Sequence, residues 1–133
     1  MIFVDSNIVI DLVEDGAWTD WSKRVLSAQQ VPMLANLIVL AEVSRTFASA
    51  DAVGIFFHEL GIGVDPITPA IAFGAGRAHV AYRAAGGRQQ SVLADFLIGA
   101  HALAIGATLV TRDRQRFSTY FPDLTLITPE TQP

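Results

Sequence analysis

The stretch Met1-Ile2-Phe3-Val4-Asp5-Ser6-Asn7-Ile8-Val9-Ile10-Asp11 decides the fold. Ile2, Phe3 and Val4 form a short, uninterrupted apolar run, the pattern of a strand buried on both faces of a parallel sheet. Asp5 stops that run. Ser6 or Asn7 then caps a helix whose apolar positions Ile8, Val9 and Leu12 lie on one side. A carboxylate therefore stands at the carboxyl end of the central strand, where open α/β sheets place their ligands. A charge in such a dry place costs several kcal/mol unless something compensates it. Two accounts of Asp5 meet that requirement: a hydrogen-bonding turn or a metal ion.

Outward from this stretch, strands and helices alternate. Glu14-Asp15-Gly16 reads as a turn. Trp18 to Gln30 reads as a helix, with Trp18, Trp21, Val25 and Leu26 at three- and four-residue spacing. Val31 to Ala35 is a short strand, with Pro32 tolerated near its start. Asn36 caps a helix carrying Ile38, Leu40, Ala41, Val43 and Phe47. Ala52 to Leu60 is a further helix closed by Gly61, followed by the strand Ile62-Gly63-Val64. Pro69 opens an alanine-rich helix to about Ala85, stopped by Gly86-Gly87. Ser91 opens another through Ile105, ended by Gly106. Thr108-Leu109-Val110 and Leu124-Thr125-Leu126-Ile127 are the last strands, and residues 128–133 form a short polar tail. This alternation predicts a three-layer α/β/α fold with a mainly parallel sheet of about five strands flanked by helices.

The 133 residues suffice for one domain, 1–133, with a core between a sheet and two helical layers. The chain has no cysteine, which excludes disulfides, zinc–thiolate sites and thiol catalysis. The amino terminus has no basic region and meets Asp5 almost at once, so it does not read as a signal peptide. The longest uncharged stretches, Val25 to Ala41 and Phe96 to Thr111, fall short of the roughly 20 apolar residues that span a bilayer. The expectation is a soluble, cytoplasmic protein with no membrane partner. A net charge of −4 runs against the basic footprint of a nucleic-acid binder. The distribution changes that reading. Taking four of the 13 acids for a metal site leaves nine against nine bases, eight of them arginine. Arginine's planar fork suits phosphate better than lysine's point charge. Apolar content of 51% also leaves room for surface covered by another subunit or partner.

Four acids sit where apolar neighbours discourage them. Asp5 ends the first strand, and Glu42 lies inside Leu37-Ile38-Val39-Leu40-Ala41-Glu42-Val43. Asp95 lies inside Val92-Leu93-Ala94-Asp95-Phe96-Leu97-Ile98, and Asp113 follows the fourth strand. Taken singly, each has an ordinary explanation: an exposed helix position for Glu42, charge complementarity at a helix start for Asp95, a turn for Asp113. Taken together they need another. The first and fourth strands are expected side by side, ending at one sheet edge, with the two helical acids facing inward. Carboxylates sharing a cleft repel one another and raise each other's pKa values unless a cation joins them. Oxygen ligands without cysteine fit a hard ion, Mg²⁺ or Mn²⁺.

On these residues the chain resembles the PIN-domain ribonucleases, specifically the VapC-type toxins of bacterial toxin–antitoxin pairs. The motifs run in order: Phe3-Val4-Asp5-Ser6-Asn7; Leu40-Ala41-Glu42-Val43; Ala94-Asp95-Phe96-Leu97-Ile98-Gly99-Ala100-His101-Ala102; and Leu109-Val110-Thr111-Arg112-Asp113-Arg114-Gln115-Arg116-Phe117. The resemblance implies that Asp5, Glu42, Asp95 and Asp113 hold one or two Mg²⁺ or Mn²⁺ ions for hydrolysis of RNA phosphodiester bonds. It also implies supporting hydroxyls at Ser6 and Thr111. An RNA substrate, a cognate antitoxin and a homodimer are implied in the same way. Trp18, Trp21, Phe56 and Phe57 are candidates for the antitoxin surface or for plain core. Arg112, Arg114 and Arg116 flank Asp113 and are candidates for gripping the RNA backbone, or a solvated turn. Arg88, in the glycine loop, is a weaker one.

No histidine is needed for this chemistry. His58 and His79 read as surface or interface residues, and His101 as core or support. Phe117 and Tyr120 are the aromatics nearest the last acid and read as core, so nothing identifies a base-stacking platform. A receiver domain expects a lysine after its last strand, but the only lysine is Lys23. A haloacid-dehalogenase-like phosphatase expects a second aspartate where Asn7 stands. The remaining alternative is a non-catalytic α/β module that binds a partner and whose carboxylates are structural.

Overall fold

Strand β1 (Ile2–Val4) occupies the middle of a five-stranded sheet, all three of its residues buried. The computed structural model describes residues 1–133, and the other strands are β2 (Met33–Ala35), β3 (Ile62–Val64), β4 (Thr108–Val110) and β5 (Leu126–Ile127). Their order is β3-β2-β1-β4-β5, and every pairing is parallel. Phe3 stands in register with Leu34 on one side and Leu109 on the other. The chain steps outward from β1 to β3, then returns to β4 on the far side of β1. The order therefore reverses between β1 and β4, and the carboxyl ends of those two strands frame the crevice where such sheets bind ligands.

The helices are α1 (Ser6–Val13), α2 (Thr19–Ser27), α3 (Leu37–Val43), α4 (Ala50–Leu60), α5 (Pro69–Ala84), α6 (Val92–Ala104) and α7 (Arg114–Tyr120). α1 packs on α2 and α3, α3 on α6, and α5 on α6 and α7. One apolar core joins sheet and helices; Phe3, Phe57, Phe96 and Phe117 are its largest fully buried side chains. No helix is long and apolar enough to cross a membrane.

Local chemistry moves several expected boundaries. Asp5, rather than Ser6 or Asn7, caps α1 by accepting from the Ser6 N–H. Asn36 caps α3 as expected, its Oδ1 accepting from Ile38 N and Val39 N. That helix stops at Val43 and tightens into a 3₁₀ turn, Ser44–Thr46. The next begins at Ala50, two residues early, because Ser49 caps it. Gly61 closes it in the left-handed region at φ 73°, where a Cβ is disfavoured. The larger departure is α7. The arginine-rich segment after Asp113 is a helix, anchored by Phe117 in the core.

His101 is fully buried on α6 and joins three elements. Its Nε2 lies 2.7 Å from Asp65 Oδ2, and its Nδ1 3.1 Å from Asn36 Nδ2. Asn36 Oδ1 is already committed to the α3 cap, so its amide donates to Nδ1. The ring proton then sits on Nε2, facing Asp65. His101 is a core support, as expected.

Candidate active site

Four separate elements bring the four expected carboxylates to one cleft of about 220 Å³, lined also by Ser6, Asn7, Ile10, Arg45 and Arg116. Asp5 lies deepest, at the end of β1 and only 4% exposed. Its Oδ1 accepts from Ser6 N at 2.7 Å and its Oδ2 from Thr111 Oγ1 at 2.6 Å. Its own N–H donates to Val110 O at 3.0 Å, which locks the ends of β1 and β4 together. Burial pushes the Asp5 carboxyl up to about 7. The Thr111 and Ser6 hydrogen bonds oppose that rise, while the charges of Asp95 and Glu42 add to it.

Glu42 projects from α3 and accepts a hydrogen bond from Ser6 Oγ at 2.6 Å. It is solvent-exposed rather than inward-facing, because this side of α3 looks onto the open cleft and not onto the core. Asp95, in the first turn of α6, is half-buried and takes a hydrogen bond from Arg116 Nη1. Burial raises its pKa; Arg116 opposes the shift, and Glu42 and Asp113 reinforce it. Asp113 caps α7 by accepting from Arg116 N, and its Oδ2 lies 3.7 Å from Arg116 Nη1.

The two hydroxyls expected to support the acids occupy matching places. Thr111, wholly buried, donates to Asp5 and accepts from Asp113 N at 3.0 Å, so one oxygen spaces the two acids. Ser6 likewise ties the start of α1 to Glu42.

The three arginines have different surroundings. Arg112 Nε and Nη2 donate to the two oxygens of Asp11 at 2.9 and 3.0 Å, and its guanidinium lies 5.7 Å from the centre of the Trp18 ring. Ser22 Oγ completes the Asp11 carboxylate at 2.8 Å. This strut from α1 and α2 to the β4 exit is absent from the sequence reading. Its only signal was Asp11 itself, a carboxylate inside an otherwise apolar helix. Arg114 is exposed beside Asp113 and Glu130. Arg116 enters the acid cleft. Among the expected aromatics, Trp21 and Phe57 are core, whereas Trp18 is 42% exposed.

The donor set fits a hard divalent ion in type: oxygen ligands only, lining one cleft at the sheet's switch point, with two carboxyls already raised by burial and mutual repulsion. No three acids converge to coordinating range as they stand. The Arg116 guanidinium stands between two of them, bonded to Asp95 and 3.7 Å from Asp113.

No curated protein sequence matches the chain. Among solved structures, a toxin–antitoxin complex from Klebsiella pneumoniae is 24% identical, with a TM-score of 0.73 over 97% of this chain and 98% of that one. VapBC2 of Rickettsia felis, bound to a DNA fragment from its promoter, is 22% identical, with a TM-score of 0.69 over 96% and 98%. VapC20 of Mycobacterium tuberculosis, a toxin that cleaves the sarcin–ricin loop, is 21% identical, with a TM-score of 0.63 over 81% and 85%. At these identities the likeness is one of fold. The model of the PIN-domain family matches residues 2–120, which takes in all four carboxylates and every strand and helix except β5. By that match the chain belongs to the PIN-domain family.

Proposed function

We propose that the protein is a Mg²⁺- or Mn²⁺-dependent endoribonuclease acting as the toxin of a toxin–antitoxin pair. One observation carries the proposal: Asp5, Glu42, Asp95 and Asp113 meet in a single cleft, with Arg116 bonded to Asp95 and Arg45 on the lining. Four carboxylates against two guanidinium groups, one of them (Arg45) mostly in solvent, is an arrangement that a divalent ion completes. Such an ion, held by Asp5, Asp95 and Asp113 with Glu42 beside them, lowers the pKa of water and stabilises charge on a phosphoryl oxygen.

The chain's own residues do the positioning. Thr111 fixes the spacing of Asp5 and Asp113, and Ser6 aims Glu42 across the cleft. Arg116, once an ion takes Asp95 and Asp113, is free to meet a substrate phosphate, and Arg114 extends that reach. Arg112 is the weakest RNA contact of the three, because Asp11 already engages its Nε and Nη2.

Apolar side chains left in solvent support the partner expectations. Phe73 and Val80 on α5 are 70% and 60% exposed, and Ile55 on α4 is 58% exposed. These faces are offered to a cognate antitoxin and to a second copy of the chain in the cytoplasm.

The test is cleavage of a cellular RNA pool by the purified, antitoxin-free protein, with and without Mg²⁺ or Mn²⁺, beside Asp5→Asn and Asp95→Asn. Metal-dependent cutting lost in both variants is the expected result. Folded protein that cuts nothing under any metal condition would leave the partner-binding module as the better reading.

A further inference from the structure

We propose that the groove along α7, from Asp113 to Tyr120, is a subsite for one nucleotide of single-stranded RNA, with the Tyr120 ring as its base platform. The inference rests on the nuclease reading above and adds to it a residue that positions substrate.

The groove holds about 270 Å³ and is lined by Asp113, Gln115, Arg116, Thr119 and Tyr120. It shares Asp113 and Arg116 with the acid cleft, so the two spaces adjoin. On a helix, positions three and four apart fall on one face, and Asp113, Arg116 and Tyr120 follow that spacing. The rise from Asp113 to Tyr120 is about 10 Å, a span that one nucleotide and its flanking phosphates cover. A backbone whose scissile phosphate lies at the carboxylates therefore passes Arg116 before its neighbouring base reaches Tyr120.

Tyr120 is built as a fixed surface. Its ring packs 5.1 Å from Phe96 and edge-on to Tyr82 at 5.8 Å, centre to centre, yet the residue is only half-buried. Phe117, three residues earlier, is fully buried and serves the core instead. Aromatic rings anchored in this way stack bases without choosing among them. The polar rim is set by Gln115 and Thr119, with Thr119 Oγ1 donating to Gln115 O at 2.7 Å. Gln89 Oε1 lies 3.4 Å from Arg116 Nη2 at the groove's other side. The lining carries one guanidinium, one carboxylate and one half-buried ring. That set matches a phosphate, a metal-site neighbour and a base better than it matches an apolar protein segment.

The test uses full-length protein and single-stranded oligoribonucleotides spanning a mapped cleavage site, each with 2-aminopurine at a different position. In the Asp5→Asn background, where RNA is bound uncut, quenching is expected at one position beside the scissile bond. It is lost when Tyr120→Leu is added and kept when Tyr120→Phe is added. In otherwise native protein, Tyr120→Leu is expected to raise KM roughly tenfold with kcat nearly unchanged, since stacking is made equally in ground and transition states. Thermal melts check that Tyr120→Leu, which keeps an apolar side chain against Phe96, is folded. Unchanged quenching and KM in Tyr120→Leu, with metal-dependent cutting intact, would overturn the subsite and leave the nuclease standing. Loss of antitoxin binding in place of RNA binding would overturn it in favour of a protein contact. A native protein that neither binds nor cuts RNA would remove both readings.

Discussion

Replacing Asp5 by asparagine should stabilise the metal-free protein at neutral and alkaline pH while abolishing its activity. Asp5 is almost wholly buried, and its carboxyl is raised from the ordinary 3.8 to about 7, chiefly by loss of hydration. Below pH 4 the group is protonated in folded and unfolded chains alike, so it adds nothing to the pH dependence. Between about 4 and 7 the unfolded chain releases the proton and the folded one keeps it. The unfolded state then binds fewer protons, so stability falls as pH rises, until both states are ionised above 7. A shift of three units at 1.36 kcal/mol each sets a ceiling of about 4 kcal/mol for that loss. Asparagine carries no charge and can still accept from Ser6 N, so Asp5→Asn should recover about 2–4 kcal/mol at pH 8 and little at pH 4. Urea denaturation of both proteins in EDTA, from pH 4 to 8.5, measures the difference. Added Mn²⁺ should stabilise the native protein and leave the variant nearly unmoved, because the ion binds the ionised cluster. If the two curves run parallel across that range, Asp5 is not the strained charge that its burial implies.

Thr111→Val keeps the shape of the residue but removes the hydroxyl that serves Asp5 and Asp113 N. It should cost about 1–3 kcal/mol in urea denaturation and raise the Asp5 pKa further. Arg116→Gln withdraws the cation lodged between Asp95 and Asp113. Calorimetry should show Mn²⁺ binding about fivefold tighter, the value of one exposed ion pair, while RNA cleavage falls. Weaker metal binding would mean that Arg116 assists the ion instead of standing in its place. Arg112→Ala leaves the buried Asp11 carboxylate without its fork and should lower stability by about 2 kcal/mol. RNA affinity, read by filter binding, should hardly change; a large loss would return Arg112 to the substrate-binding set.

The sheet was legible because β1 and β4 are buried on both faces and read as unbroken apolar runs bounded by Asp5 and Thr111. The helices with alanine or β-branched stripes, α5 and α6, were equally clear, since Pro69 and the two glycine stops punctuate them. α7 was not. Its sequence, Arg114 to Tyr120, has a single core residue, Phe117, and its helicity comes from tertiary anchoring: a Cβ on Gly99 would meet the Phe121 ring at 2.6 Å and the Phe117 ring at 3.1 Å, so the α6 backbone lies directly against the rings in and just after α7. The Asp113 cap and the Phe117, Tyr120, Phe121 spacing were the available signal, masked by three arginines. The four acids were found because their apolar neighbours made them conspicuous. How exposed each one is could not be read the same way, because a cleft and a solvent-facing helix side give Glu42 the same local sequence.

The reason the acid cluster persists lies in how incompletely the fold compensates it. Thr111 and Ser6 supply hydrogen bonds that hold three of the acids in place, and Arg116 offsets part of the charge on Asp95 and Asp113. Those contacts fix geometry without offsetting burial and the lesser mutual repulsion, which is why Asp5 and Asp95 remain raised. A chain selected for stability alone would remove the problem with one asparagine. Keeping the charges at the junction of β1 and β4 means that a cation arriving there relieves strain already present in the folded protein. Its binding energy and the protein's stability are then coupled through the same four carboxylates. On this account the PIN-domain cleft is least stable when empty and alkaline, and each substitution that calms it, Asp5→Asn first, should cost the activity it was strained to support.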